Sequence, residues 1–425
     1  MDEQKILEEI RRLSRPFAQE PAGMLLAAKT EQAKVVLLGE ASHGTSEFYT
    51  VRAELTKRLI QEGNIRFIAV EGDWPACYTL NQYVMGQSDA GAAEEALRSF
   101  RRWPTWMWAN REIEAMAEWL REYNADKAER EKVGFYGIDL YSLWESMDEI
   151  IGYLEERGGA DLEAAKAAFE CFEPYNRDEQ TYGIAASFLG EGCVAETDEL
   201  LQRLTERRRN ASDEEKEGTL NAEMNAEALA GAEAYYRTMV RHDTESWNVR
   251  DRHMVKALQK LLDHYGPAAR AVVWEHNTHI GDARATDMAL EGMVNVGQLL
   301  REQYGSQVYA VGFGTYEGTV IAGSAWGAPA EVMPVPPAIK GSWEELVHRT
   351  GAEDKLILFE NWGPALSGSL GHRAIGVVYH PGRERGNYVP TVLPERYDAF
   401  IYLDRTHALT PLGVRPSVYD EGGQW

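Results

Sequence analysis

Cysteine is scarce in this chain of 425 residues: there are three, Cys77, Cys171 and Cys193, and no C-x-x-C pair. Such a count argues against a disulfide framework or a structural zinc site and leads us to expect a reducing cytoplasm. Long apolar runs are missing too. Nothing approaches the roughly 18 consecutive apolar residues that span a bilayer. The amino terminus, MDEQKILEEIRRL, lacks the basic start and apolar core of a secretory signal. Its apolar positions Ile6, Leu7, Ile10 and Leu13 have the spacing of an amphipathic helix instead. Basic charge is in deficit, with 44 Lys and Arg against 68 Asp and Glu and a net charge of -24. That surplus repels phosphate backbones and anionic lipid, so neither nucleic acid nor a membrane is an expected partner.

Motifs for covalent and phosphate chemistry are absent as well. No G-x-S-x-G elbow exists, because GEASHG has its serine one place late. No G-x-x-x-x-G-K-[ST] loop appears, which argues against nucleoside triphosphate chemistry. His276 and His279 are spaced i, i+3 rather than the i, i+4 of an H-E-x-x-H zinc helix.

What the chain does have is a repeated pattern of short apolar runs that stop in acids and histidines. VVLL at Val35–Leu38 runs into Gly39, Glu40 and His43; FIAV at Phe67–Val70 ends in Glu71; VGFYGIDL ends at Asp139; AVVW ends in Glu275, His276, Asn277 and His279. Runs of this length, alternating with helical patterns such as SEFYTVRAELTKRLIQEG, predict buried parallel strands. Ligands in such sheets sit beyond the carboxyl ends of the strands, where these polar residues fall. The expected fold class is therefore α/β, a mostly parallel central sheet flanked by helices, read as a single domain over 1–425. Strand-like runs vanish between about 142 and 265, where alanine, leucine, glutamate and arginine dominate. That stretch is expected to be a large helical insertion between strands, lidding one face. Later strands are expected in QVYAVGFGTYEG, with a return through GTVIAG, and in LILFE, AIGVVYH and AFIYLDRT.

A histidine flanked by carboxylates is the usual arrangement of a general base near neutral pH. Glycines on both sides of Glu40–His43 are expected to leave room for a substrate near the imidazole. Side-chain alternation turns His276 inward and Glu275 away. Asp139 reads as a helix cap, Arg52 as the partner of Glu71 or another acid, and His242, His253 and Arg250 as ordinary helix residues. Trp74, Trp106, Asn277 and His279 are the expected substrate contacts, aromatic residues there suiting a bulky, partly apolar ligand.

Taken together, LLGEASHGTSEFY, an arginine on the first helix, AVEGDWP, WEHNTHIGDAR and VLPERYDAFIYLDRT resemble the erythromycin esterase family, from about Val35 to the closing strand. The resemblance implies that a small-molecule carboxylic ester or macrolactone is hydrolysed, with no cofactor, by a water activated at His43. It implies further that Glu40 and Glu71 orient and polarise that histidine and that Arg52 holds the acids. His276 then stabilises the oxyanion or protonates the leaving alkoxide. Two alternatives stay open: a divalent metal at Glu40, His43, Glu71 and His276, or a protein that holds haem or another small ligand in the same cleft without turnover.

Overall fold

The computed structural model describes residues 2–17, 19–190, 192–241 and 243–413. Its strands, in chain order, are β1 (Ser14–Pro16), β2 (Val35–Leu38), β3 (Ile65–Asp73), β4 (Gly134–Asp139), β5 (Arg270–Trp274), β6 (Val308–Gly323), β7 (Ala330–Val335), β8 (Lys355–Leu358), β9 (Leu370–Arg373), β10 (Tyr388–Thr391) and β11 (Ala399–Thr406). Nine form one sheet in the order β1-β8-β11-β6-β2-β5-β3-β4, with β7 hanging on the far part of β6. The six strands from β11 to β4 are parallel; β8 and β7 run against them, and β1, antiparallel to β8, runs with them again. The mostly parallel α/β sheet expected from the sequence is the observed architecture.

Alternation along the strands divides the core between the two faces. Val36 and Leu38 of β2 pack with Phe48, Leu55 and Leu59 of the helix Ser46–Gly63. Val35 and Leu37 pack on the other side with Ile6, Leu7 and Ile10 of the helix Glu3–Leu13 and with Met254 and Leu258. All four β2 side chains are within 1% of full burial, each contributing about 1.5–3 kcal/mol of hydrophobic stabilisation. The helix Ser46–Gly63 ends where Asn64 takes a left-handed turn at φ 56°. Thr45 flanks its start, and the Ser46 hydroxyl donates to Glu112 at 2.5 Å.

Several details depart from the sequence reading. The chain runs from β2 through that helix to β3, yet β5 lies between the two strands. The β-strand through GTVIAG does not turn back: β6 continues straight through Gly318, whose φ of 153° and missing Cβ let it lie against the Thr406 carbonyl, and it reverses only before β7. AIGVVYH forms isolated bridges from Ile375 to Ser42 and from Val378 to Gly323 instead of a strand. Between β4 and β5 come the helices Leu143–Glu155, Ala160–Phe172, Glu179–Leu189, Val194–Arg209, Lys216–Met239 and Asp243–Tyr265. Most of them share an apolar cluster of their own around Met147, Phe172, Leu200 and Leu229. Within them Cys171 and Cys193 form a disulfide, while Cys77 is buried and free. Two of the three cysteines therefore do pair, and the cysteine count loses its force as an argument for a reducing compartment. Among the described residues no helix is long and apolar enough to cross a membrane. His242 lies outside the described residues.

The glycines flanking Glu40–His43 serve the protein's own backbone rather than a ligand. A Cβ on Gly39 would sit 2.1 Å from Asn277 Oδ1, and one on Gly44 would sit 1.9 Å from the Ile321 carbonyl oxygen. Gly44 is gripped from two sides, its carbonyl accepting from Ile321 N at 3.0 Å and Leu409 N at 3.0 Å. Gly44→Ala is therefore expected to lower stability by about 1–3 kcal/mol or more, against no loss for Gly152→Ala, where nothing lies within 4 Å. Denaturant unfolding of the two variants checks this; equal midpoints would contradict it.

Candidate active site

The register of the parallel strands gathers the polar residues. Leu38 of β2 pairs with Trp274 of β5, and Trp274 pairs with Val70 of β3. Glu40, His276 and Glu71 therefore emerge side by side across three neighbouring strands, within roughly 10 Å at the usual strand spacing. The three are 1%, 4% and 4% exposed, and His43 is 7% exposed.

On the side of the helix Ser46–Gly63, the His43 ring is fixed from behind. Glu40 Oε1 lies 2.8 Å from His43 Nδ1, and Glu40 Oε2 accepts from Arg52 Nη2 at 2.5 Å. A carboxylate can only accept, so Nδ1 carries the proton and Nε2 is left with a lone pair. Arg52 pairs with Glu40 and not with Glu71. It is fully buried, its guanidinium 4.4 Å from the Tyr49 ring centroid and 4.9 Å from that of Trp274.

On the opposite face a second carboxylate is held by a second arginine. Arg250 Nη2 donates to Glu71 Oε1 at 2.7 Å, and the same guanidinium is bidentate to Asp139 at 2.9 and 2.6 Å. Glu71 Oε2 accepts from the His276 backbone N–H at 2.8 Å. Glu71 Oε1 lies 4.0 Å from His43 Nε2. Burial alone would raise the Glu71 pKa, but His279, His43 and Arg250 together hold it far below the carboxylate range. Burial alone would likewise lower His43, and the charges of Glu71 and Glu40 more than reverse this, holding the imidazole above its ordinary value.

His276 is the counterpart of His43, with ring centroids 4.9 Å apart. Its Nδ1 caps the short helix Asn277–Ile280, accepting from Thr278 N at 3.3 Å beside the Thr278 hydroxyl at 2.8 Å. A backbone N–H can only donate, so the His276 proton sits on Nε2. That Nε2 is buried without a hydrogen-bond partner, facing the Ala41 carbonyl. Burial, reinforced by His43, keeps the His276 ring neutral by lowering its pKa well below the usual value.

Arg250 read as an ordinary helix residue and Asp139 as a cap; both belong to the centre, and nothing in the local sequence around Arg250 marks it. Asp139 does accept from the Leu140 N–H, but its two oxygens are mainly a clamp on Arg250. His279 is tied in as well: Nδ1 lies 3.0 Å from Asp251, Nε2 lies 3.0 Å from Arg250 Nη1, and the ring stacks on Trp247 at 4.6 Å. His253, by contrast, is a buried inter-helix residue packed over Gly231. Glu275 is fully enclosed with both oxygens unpartnered, and burial together with Glu71 pushes its carboxyl strongly towards the protonated form.

Three expected substrate contacts are committed elsewhere. Asn277 is a staple between strand ends: its N–H donates to the Glu40 carbonyl at 2.9 Å and its side-chain amide to the Phe313 carbonyl at 2.6 Å. Trp74 is 1% exposed, stacked on Tyr78 and Tyr136, with its indole N–H on Asn221. Trp106 is 3% exposed in the core beneath the helix Ser46–Gly63. His279 is 2% exposed and its ring is sandwiched by protein groups.

Among the described residues no group of three or more His, Cys, Asp or Glu side chains is arranged to hold a metal ion. Glu40 already neutralises Arg52, and Glu71 already accepts from Arg250 and the His276 N–H.

Burial alone would raise Asp139, yet Arg250 holds it below its ordinary value. Its contribution to stability is then present above the unfolded pKa and lost as pH falls. Arg250→Met reverses the sign, because burial and Glu71 are left to favour the protonated acid. The variant is expected to lose about 3–5 kcal/mol at pH 8 and to recover part of it at pH 5. Urea unfolding at both pH values measures this, and a loss that does not shrink at pH 5 contradicts it.

Comparison with known proteins places this geometry in context. The Erythromycin esterase family pattern matches residues 60–406, a range that begins downstream of Glu40, His43 and Arg52. Erythromycin esterase type II of Escherichia coli is 32% identical over 107 residues, which is 25% of this chain and 23% of that protein. The chain thus matches about a quarter of the length of that curated relative. Three solved structures share the fold. A succinoglycan biosynthesis protein superposes with a TM-score of 0.77 at 21% identity, over 96% of this chain and 98% of that one. A Bacillus cereus protein gives 0.79 at 19% identity, over 97% and 99%. A mutant of the erythromycin esterase EreC in its open conformation gives 0.65 at 18% identity, over 90% and 93%.

Proposed function

We propose, for a chain that belongs to the erythromycin esterase family, hydrolysis of a carboxylic ester or macrolactone by a water molecule that His43 deprotonates. The observation that carries this reading is the orientation of His43: Nδ1–H is fixed on Glu40, which Arg52 holds in turn, and Nε2 is left with a lone pair beside Glu71. This is the orienting logic of a base–carboxylate pair, in which the carboxylate sets the tautomer and steadies the imidazolium.

In the proposed reaction the oxygen of water bonds to the ester carbonyl carbon while its proton passes to His43 Nε2. The carbonyl π electrons move onto oxygen, and the resulting anion accepts from the neutral Nε2–H of His276, which faces only the Ala41 carbonyl in the free protein. Collapse of the tetrahedral intermediate breaks the carbon–alkoxide bond, and His43 returns its proton to the leaving oxygen. Glu71 stabilises the imidazolium between these steps, and Arg250 keeps Glu71 anionic. The helical segment 142–265 supplies Arg250 and, in this reading, one wall of the cleft. This reaction scheme calls on no metal: Glu40 and Glu71 are already paired with Arg52 and Arg250.

The test uses purified protein on a panel of small esters and one macrolide, with and without chelator. Wild type is expected to cleave at least one ester, insensitive to chelator, and His43→Ala to be reduced by about 10²–10⁴-fold. The rate should fall on acidification along one limb whose apparent pKa lies above the free histidine value of about 6.5. Turnover that survives loss of His43, or that chelator abolishes, would sink the proposal.

A further inference from the structure

Two segments from opposite sides of the site meet in an aromatic pair. In the sheet order β6-β2-β5-β3, the strands that deliver His43 and His276 are the inner two. From the β3 side, the segment after the helix Ala93–Leu97 is tied to the end of β3 by Arg102 on Asp73, at 2.8 and 3.2 Å, and by Trp108 on the Glu71 carbonyl, at 3.0 Å. From the β6 side, the strand overshoots β2 and turns into β7, with Trp326 in the turn. The two segments touch. Trp103 Nε1 donates to the Ala328 carbonyl at 2.9 Å, and the Trp103 and Trp326 rings lie 4.7 Å apart, tilted by 58°. A contact between the β3 and β6 sides brackets the ends of the two strands between them, a span of about 14 Å at the usual spacing.

The pair is built yet open. Trp103 is half-buried and anchored, whereas Trp326 is 61% exposed, a costly state for a side chain of this size. Side-chain contacts link the pair to the site: beside Trp103 stands Arg102, whose guanidinium lies 5.0 Å from the Tyr141 ring centroid, and Arg250 lies 4.9 Å from the same ring and on Glu71.

We infer that Trp103 and Trp326 form a distal subsite that takes the ring-bearing half of the ester, an apolar ring face laid against the indoles while the carbonyl reaches His43. This deepens the hydrolase reading and rests on it: the substrate class becomes esters with a ring several bonds from the scissile carbonyl, and Trp326 is a specificity-determining residue.

The experiment compares cyclohexylmethyl and ethyl esters of one acid on wild type, Trp326→Ala, Trp103→Leu and, as an exposed control on the separate helix Gln19–Lys29, Met24→Ala. Wild type should prefer the ring ester in kcat/KM, and Trp326→Ala and Trp103→Leu should each erode that preference by about fivefold to tenfold, mainly through KM. Met24→Ala should leave it as it was. A preference that survives in Trp326→Ala overturns the subsite. Saturation-transfer NMR with cyclohexylmethanol separates this failure from failure of the hydrolase reading. Contact in wild type that Trp326→Ala abolishes supports the subsite even if no ester is cleaved; absence of contact in wild type overturns it.

Discussion

The site depends on the register of three parallel strands. Because Leu38, Trp274 and Val70 stand abreast, the residues after them, Glu40, His276 and Glu71, arrive at one level without any loop having to reach. A slip of one residue on any strand would send its polar residue to the opposite face of the sheet. The burial of both faces of β2 fixes that register, and the backbone contacts of Gly39 and Gly44 lock the turn that follows.

On this frame the protein sets two arginine–carboxylate pairs, one from each face. Arg52 with Glu40 holds the back of His43, and Arg250 with Glu71 and Asp139 supplies the charge in front of it. Buried ion pairs of this kind contribute little net stability, since desolvation offsets the attraction. Their effect here is to set protonation states: Glu71 anionic, His43 raised, His276 lowered and neutral. Two imidazoles 4.9 Å apart are thereby given opposite tasks, one a base and the other a hydrogen-bond donor.

Much of this was legible in the sequence because it depends on local pattern. The apolar runs and their acidic ends revealed the strands, and Glu40, His43, Glu71 and His276 fell where strand ends gather. Arg250 was not legible. It lies on a helix more than a hundred residues from Glu71 and Asp139 in the chain, and only the packing of Asp243–Tyr265 against the sheet brings them together. For Trp74, Trp106 and Asn277 the sequence shows the side-chain type and not its surroundings: in the structure all three are engaged in the protein's own packing and hydrogen bonds. The pairing of Cys171 with Cys193 was equally hidden, because spacing in sequence says little about distance across a helical segment.

The measurement that bears most directly on this account is a ¹⁵N NMR titration of the histidine side chains in wild type and in Glu71→Gln. The account predicts that the His43 resonance shows Nδ1–H and a bare Nε2 in its neutral form, with a pKa above the free value that falls when Glu71 loses its charge. His276 should show Nε2–H and stay neutral throughout. A His43 protonated on Nε2 in its neutral form, or one whose pKa ignores Glu71, would contradict it.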